Sequence, residues 1–168
     1  AGVRSAGRRN KSADILDNCN RAIEEALGLR NGQFRLQLVN FPETSVFHLT
    51  MRPVSIEWIR LTDNSRLLRV LTCCQNLAYQ KTVLIRYTTD NWLSHDDVSG
   101  EFYDSISNGN FDRFLAHIPF DPTTVTTSNA LTIELCIRYV VDGTEFWDNN
   151  RGGNYRVIVN RLPMSNSA

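Results

Sequence analysis

The sequence has no surplus of either charge: 18 Lys and Arg balance 18 Asp and Glu over 168 residues, giving a formal net charge of zero. No whole-molecule field recruits nucleic acid, and none is expected as a partner. The one basic concentration, Arg4, Arg8, Arg9 and Lys11, reads as a solvated tail. Long apolar runs are missing too. Nothing approaches the roughly 20 residues of a membrane span, and no signal-peptide core precedes the first polar segment. Cysteine is scarce: Cys19, Cys73, Cys74 and Cys136 offer neither a paired C-x-x-C zinc clamp nor a dense disulfide framework. Reduced thiols in the cytoplasm are the expectation.

Catalytic signatures are equally thin. His48, His95 and His117 lie far apart and outside any H-E-x-x-H, and neither a G-x-S-x-G elbow nor a phosphate-binding glycine loop is present. Asp96 and Asp97 adjoin in "SHDD", whereas a glycosidase needs two carboxylates facing each other about 5 to 9 Å apart. They read as solvated loop charges. Glu134 and Glu145 sit in no motif. No enzyme, metal or cofactor is expected.

What is present is a chain 42% hydrophobic and 21% charged, the size of one globular domain with a real core. Its start at Ala1 rather than methionine reads as a piece of something longer. In "DILDNCNRAIEEALGL" the apolar residues Ile15, Cys19, Ile23 and Leu27 recur at helical spacing, predicting an amphipathic helix over about 14–28. Ser12 or Asp14 would cap it and Gly28 stop it. Its apolar stripe is expected to pack on the chain's own core. From "FRLQLV" onward the pattern becomes alternating and rich in Val, Ile, Thr, Tyr and Trp. Strands are predicted over 54–62, 67–75, 79–89, 111–118, 130–141, 144–147 and 155–162, with turns at "TDNS", "DG" and "NNRGGN". No helix is expected after residue 30, so the fold class is an all-β antiparallel sandwich. Residues 1–40 are read as an N-terminal extension and 41–168 as the sandwich domain.

Two stretches concentrate rings and amides: "TTDNW", residues 88–92, and "WDNNRGGNY", residues 147–155. Sugars present C–H groups on one face and hydroxyls at the rim, so a glycan site combines exposed rings with amides that both donate and accept. The residues alone leave a second reading open, in which Trp92 and Trp147 are core and Asn149, Asn150 and Asn154 take positive-φ turn positions.

The segments "CQNLAYQKTVLIRYTTDNW", 74–92, and "DGTEFWDNNRGGNYRV", 142–157, resemble the glycogen-targeting regulatory subunits of protein phosphatase 1 in order and spacing. Those subunits carry a carbohydrate-binding module of the family twenty-one type, found also on fungal glucoamylase. The resemblance covers about 53–162, with a weaker echo at "FPE", 41–43. It implies an immunoglobulin-like β-sandwich with Trp92 and Trp147 as sugar platforms and Asn149 and Asn154 as the amides beside them. Tyr79 and Lys81 match a tyrosine and a lysine of the starch-binding relatives, Tyr79 in their second site. It also implies that Trp147, Asp148, Asn149, Asn150, Asn154 and Tyr155 form a surface contacting substrate proteins such as glycogen synthase. Three of these have a plainer alternative: Lys81 as a solvated strand lysine, Asp148 as a turn brace, Tyr155 as a structural ring.

This chain departs from the family at three places. Cys136 stands where the starch-binding relatives have a third ring, and Val70 where a glycine usually opens the strand. The anchor for the phosphatase catalytic subunit, a basic residue, Val or Ile, any residue, then Phe or Trp, is not found; "RVLT" and "RPVSIEW" do not fit it. The implied function is a non-catalytic module binding glycogen or another alpha-glucan, cytoplasmic and glycogen-associated. The phosphatase catalytic subunit would be held through sequence outside this chain. Alternatives are a glycan-binding domain of a glycan-processing enzyme and a protein-interaction sandwich.

Overall fold

The computed structural model describes residues 10–42, 51–62 and 66–163, less the side chains of 126 and 127. Arg4, Arg8, Arg9, His48, the Glu43 of "FPE" and residues 63–65 of the expected "TDNS" turn lie outside the described residues.

Helix α1 (Lys11–Ala26) starts earlier than its apolar period because Asn10 caps it, accepting from the Ser12 N–H at 3.3 Å. It ends at Gly28, whose φ of 69° an L side chain adopts only under strain. Two ties fasten that end. Glu24 pairs with Arg35 at 2.6 Å, and the Leu61 N–H donates to the Gly28 carbonyl at 2.7 Å. The rest of the helix stands off the sandwich, which corrects the expected packing of its stripe: Ile15, Leu16, Ile23 and Leu27 are all at least half exposed.

Two antiparallel sheets follow. The larger runs β1 (Arg30–Asn31), β2 (Phe34–Leu38), β11 (Tyr155–Arg161), β9 (Ala130–Val141), β5 (Lys81–Thr88) and β6 (Asp96–Ser99), with β10 (Thr144–Asp148) paired to the far half of β9. The smaller runs β3 (Val54–Leu61), β4 (Leu67–Gln75), β8 (Phe111–Pro119) and β7 (Glu101–Ile106). Alternation decides which face of each strand is buried: along β8, Asp112, Phe114, Ala116 and Ile118 point inward while Arg113, Leu115 and His117 point out. Leu36, Ile59, Val70, Val83, Ile85, Ile118, Ile133 and Leu135 close the core between the sheets. Val70, at the expected glycine position, is fully buried in it.

All seven expected strands are present, shifted at most two residues at an end. The differences lie elsewhere. β2 sits inside the stretch read as an extension yet pairs with β11 from Leu38↔Val157 to Phe34↔Arg161. Asp96 and Asp97 are on edge strand β6, not in a loop. A short helix, α2 (Pro122–Ser128), follows residue 30 after all. Thr and Val are poor helix formers, so its ends define it: Asp121 accepts from the Thr123 N–H at 2.9 Å, Pro122 opens the first turn, and Asn129 closes it at φ 63°.

Candidate carbohydrate-binding site

Trp147 lies on β10 opposite Arg138, on the outer face of the larger sheet, with 42% of its surface exposed. Its ring is fixed from two sides. The indole Nε1–H donates to Glu145 Oε1 at 2.5 Å, and the Arg86 guanidinium stands 5.4 Å from the ring centroid. Both supports are anchored: Glu145 pairs with Arg138 at 2.9 Å, and Arg86 with Asp97 through bonds of 2.9 and 3.0 Å. The hydrogen bond from Arg138, then that from the indole, holds the Glu145 carboxyl below its usual range. The Arg86 fork does the same for Asp97. These four charged residues are missed by motif reasoning. They lie on four different strands, β5, β6, β9 and β10, and no local pattern joins them.

The "WDNNRGGNY" turn is braced from beneath. Asp148 is 4% exposed, accepting from the Tyr155 hydroxyl at 2.6 Å and from the Asn150 N–H at 3.2 Å, with Arg52 at 3.7 Å. Tyr155 is 1% exposed, and burial next to Asp148 pushes its hydroxyl pKa up. A direct protein contact is therefore corrected for these two: burial makes them braces. Asn150 (φ 52°) and Asn154 (φ 55°) take positive-φ positions. The Asn150 amide donates to the Asn40 and Asn154 carbonyls at 3.0 and 3.1 Å, and the Asn40 amide donates to the Asn154 carbonyl at 2.8 Å. Asn149 is exposed, with Oδ1 accepting from the Gly152 N–H at 2.9 Å. Asn40 completes this clasp from over 100 residues away, which no local pattern reveals.

Trp92 (φ 66°) sits in the turn after β5, its N–H donating to Thr88 Oγ1 at 3.1 Å. It is half-buried, and its Nε1 is enclosed without a hydrogen-bond partner. Thr88 lies four residues beyond Leu84, which shares the level of Trp147 across β9, so the turn begins about 13 Å further along the sheet. No ring contact joins the two tryptophans. Cys136, across from Arg86, is 7% exposed, and burial pushes its thiol up to about 11, so no ring projects from this position.

Tyr79 and Lys81 belong to a separate cleft of about 1060 Å³ between β5 and the β7–β8 hairpin. The Tyr79 ring is 98% exposed. Lys81 is not a solvated lysine: its side chain is 5% exposed and its ammonium contacts the Asp112 carboxylate and Asn76 Oδ1. Ser105 Oγ donates to the other Asp112 oxygen at 2.6 Å. Phe102, edge-on to Phe114 with centroids 6.0 Å apart, forms the opposite rim.

A braced antiparallel sandwich carrying a fixed, half-exposed ring beside an amide-rich turn has the build of a sugar-binding module. The chain belongs to the carbohydrate/starch-binding module family 21, whose model matches residues 48–158. Among curated proteins it is 29% identical to protein phosphatase 1 regulatory subunit 3B of Danio rerio over 161 residues, 92% of this chain and 53% of that protein. It is 30% identical to subunit 3C of Bos taurus over 138 residues, 78% and 42% of the two. The chain thus spans about half or less of these relatives. The solution structure of the carbohydrate binding module of the muscle glycogen-targeting subunit of protein phosphatase-1 shares the fold, with a TM-score of 0.64 at 22% identity over 80% of this chain and 98% of that one.

Proposed function

We propose that this chain is the glycogen-binding module of a protein phosphatase 1 targeting subunit, non-catalytic and cytoplasmic, raising the phosphatase's local concentration at glycogen. The observation that carries the reading is the Trp147 ring, held half-exposed by Glu145 and Arg86 instead of being packed into the core. A ring ordered in advance stacks on a glucosyl face with little further loss of side-chain freedom. Trp147 and Trp92 supply the platforms, with Asn149 and Asn154 at the rim. Tyr79 and the Lys81 cleft form a second glucan site. Substrate proteins of the glycogen synthase type use the outer part of the turn, Trp147, Asn149, Asn150 and Asn154, with Asp148 and Tyr155 acting from below. The phosphatase catalytic subunit is held through sequence outside this chain: strand addition needs a free extended peptide, and "RVLT" is committed to the interior of β4.

Glycogen co-sedimentation tests the reading. The chain is expected to pellet with glycogen and to be released by soluble maltooligosaccharide, with no reducing sugar produced. A chain that stays in the supernatant, or that releases reducing sugar in a manner abolished by replacing one carboxylate, would overturn it.

A further inference from the structure

The outer face of the four-stranded sheet, turned away from both candidate sugar sites, carries a pair of arginines with no acidic partner among the described residues. Arg60 on β3 and Arg69 on β4 stand directly opposite each other in register, an arrangement that costs stability because like charges face one another. His117 on β8 continues the row on the far side of Arg69 and is exposed. The β-bulge between Ile56 and Trp58 turns the Trp58 ring onto this face. Both guanidiniums lie against that one ring, Arg60 at 4.1 Å and Arg69 at 5.7 Å from its centroid. The aliphatic stem of Arg60 is in turn held against Gly28, where an added Cβ would meet it at 2.8 Å.

Among the described residues neither arginine has a carboxylate within ion-pair reach. Asp104 and Glu57 are engaged two rows further along, by Arg113 at 2.5 and 3.1 Å. By contrast Arg86, Arg138 and Arg156 on the opposite sheet each hold an acid. Two planar, ordered forks converging on one ring without a counter-ion suit a single dianionic group better than two separate carboxylates. One phosphate neutralises both charges and orders only one incoming side chain. We infer that the Arg60–Trp58–Arg69 face docks a phosphorylated serine or threonine segment of a partner protein, on the side of the module opposite the glucan surface.

The test is a titration of the isotope-labelled chain followed by NMR. The probes are a short peptide with one phosphoserine, the same peptide unphosphorylated, the same peptide with glutamate at that position, and inorganic phosphate. The phosphopeptide is expected to shift the Trp58 indole and the Arg60 and Arg69 Nε–H signals saturably, about tenfold more tightly than the glutamate peptide. The double variant Arg60→Gln/Arg69→Gln is expected to abolish those shifts while maltoheptaose still moves the Trp147 indole. Arg69→Lys, which keeps the charge but not the fork, is expected to weaken binding several-fold and serves if the double variant does not fold. Silence at Trp58, an equal response to glutamate or to inorganic phosphate, or undiminished phosphopeptide binding by Arg69→Lys would overturn the inference.

Discussion

The two candidate glucan sites differ in which part is rigid. At Trp147 the ring itself is held, by Glu145 from one side and Arg86 from another, above a turn braced by Asp148, Tyr155 and Asn40. In the second site the floor is fixed, Lys81 and Asp112 forming a pair almost out of solvent, while the Tyr79 ring stands 98% exposed. Ordering a free side chain costs about 0.5–1.5 kcal/mol on binding, a cost already met at Trp147 but not at Tyr79. The first site is therefore expected to dominate affinity, and the second to add reach along a longer glucan.

The sharpest way to break this contrast is through the floor of the second site. Lys81→Met leaves the Asp112 carboxylate nearly buried without its cation, and removing one partner of such a pair costs about 3 kcal/mol or more. Thermal or urea unfolding is expected to show that loss, while maltoheptaose affinity at Trp147 in the folded fraction is retained. Trp147→Ala should do the opposite. Calorimetric titration with maltoheptaose is expected to lose about 1–2 kcal/mol, with the melting temperature little changed because the ring is not core. Tyr79→Ala is expected to cost less than about 1 kcal/mol with maltoheptaose and to leave stability alone. A loss equal to that of Trp147→Ala would erase the proposed ranking.

The smallest expected effect is of pH. Glu145 and Asp97 have folded pKa values depressed below ordinary carboxylate values, by Arg138 and Arg86 respectively. What they contribute to fixing the ring is thus complete above the unfolded pKa values of 4.5 and 3.8 and is lost as pH falls through the lower folded values. Maltoheptaose affinity is expected to stay flat from neutral pH down to about 5 and to weaken only in stronger acid. Weakening between pH 7 and 6 would point to another group.

The same contrast explains what the sequence disclosed. Strands with one buried face, such as β8 and β11, announce themselves by alternation. β6 and β7 do not, because "DDVS" and "EFYDSI" are largely exposed on both faces and carry no apolar period. The α1 stripe has a strong helical period, and the helix forms. The period says nothing of what covers the stripe, and the sandwich does not. The turn chemistry of Asn150 and Asn154 was legible, as was the bracing role offered as the alternative for Asp148 and Tyr155. The Arg86 and Glu145 supports were not, and the alternative of a solvated strand lysine did not hold for Lys81. Arg86 and Lys81 meet partners on strands distant in sequence, whereas Glu145 takes its partners within the β9–β10 hairpin, where no motif marks them.

The three indole N–H signals, from Trp58, Trp92 and Trp147, offer the most direct test in one titration of the labelled chain with maltoheptaose. Trp147 donates to Glu145 on the proposed sugar face, and Trp58 lies on the opposite sheet. The account predicts a saturable shift of the Trp147 indole, a smaller one at Trp92, and none at Trp58. Movement of Trp58 with a silent Trp147 would contradict it.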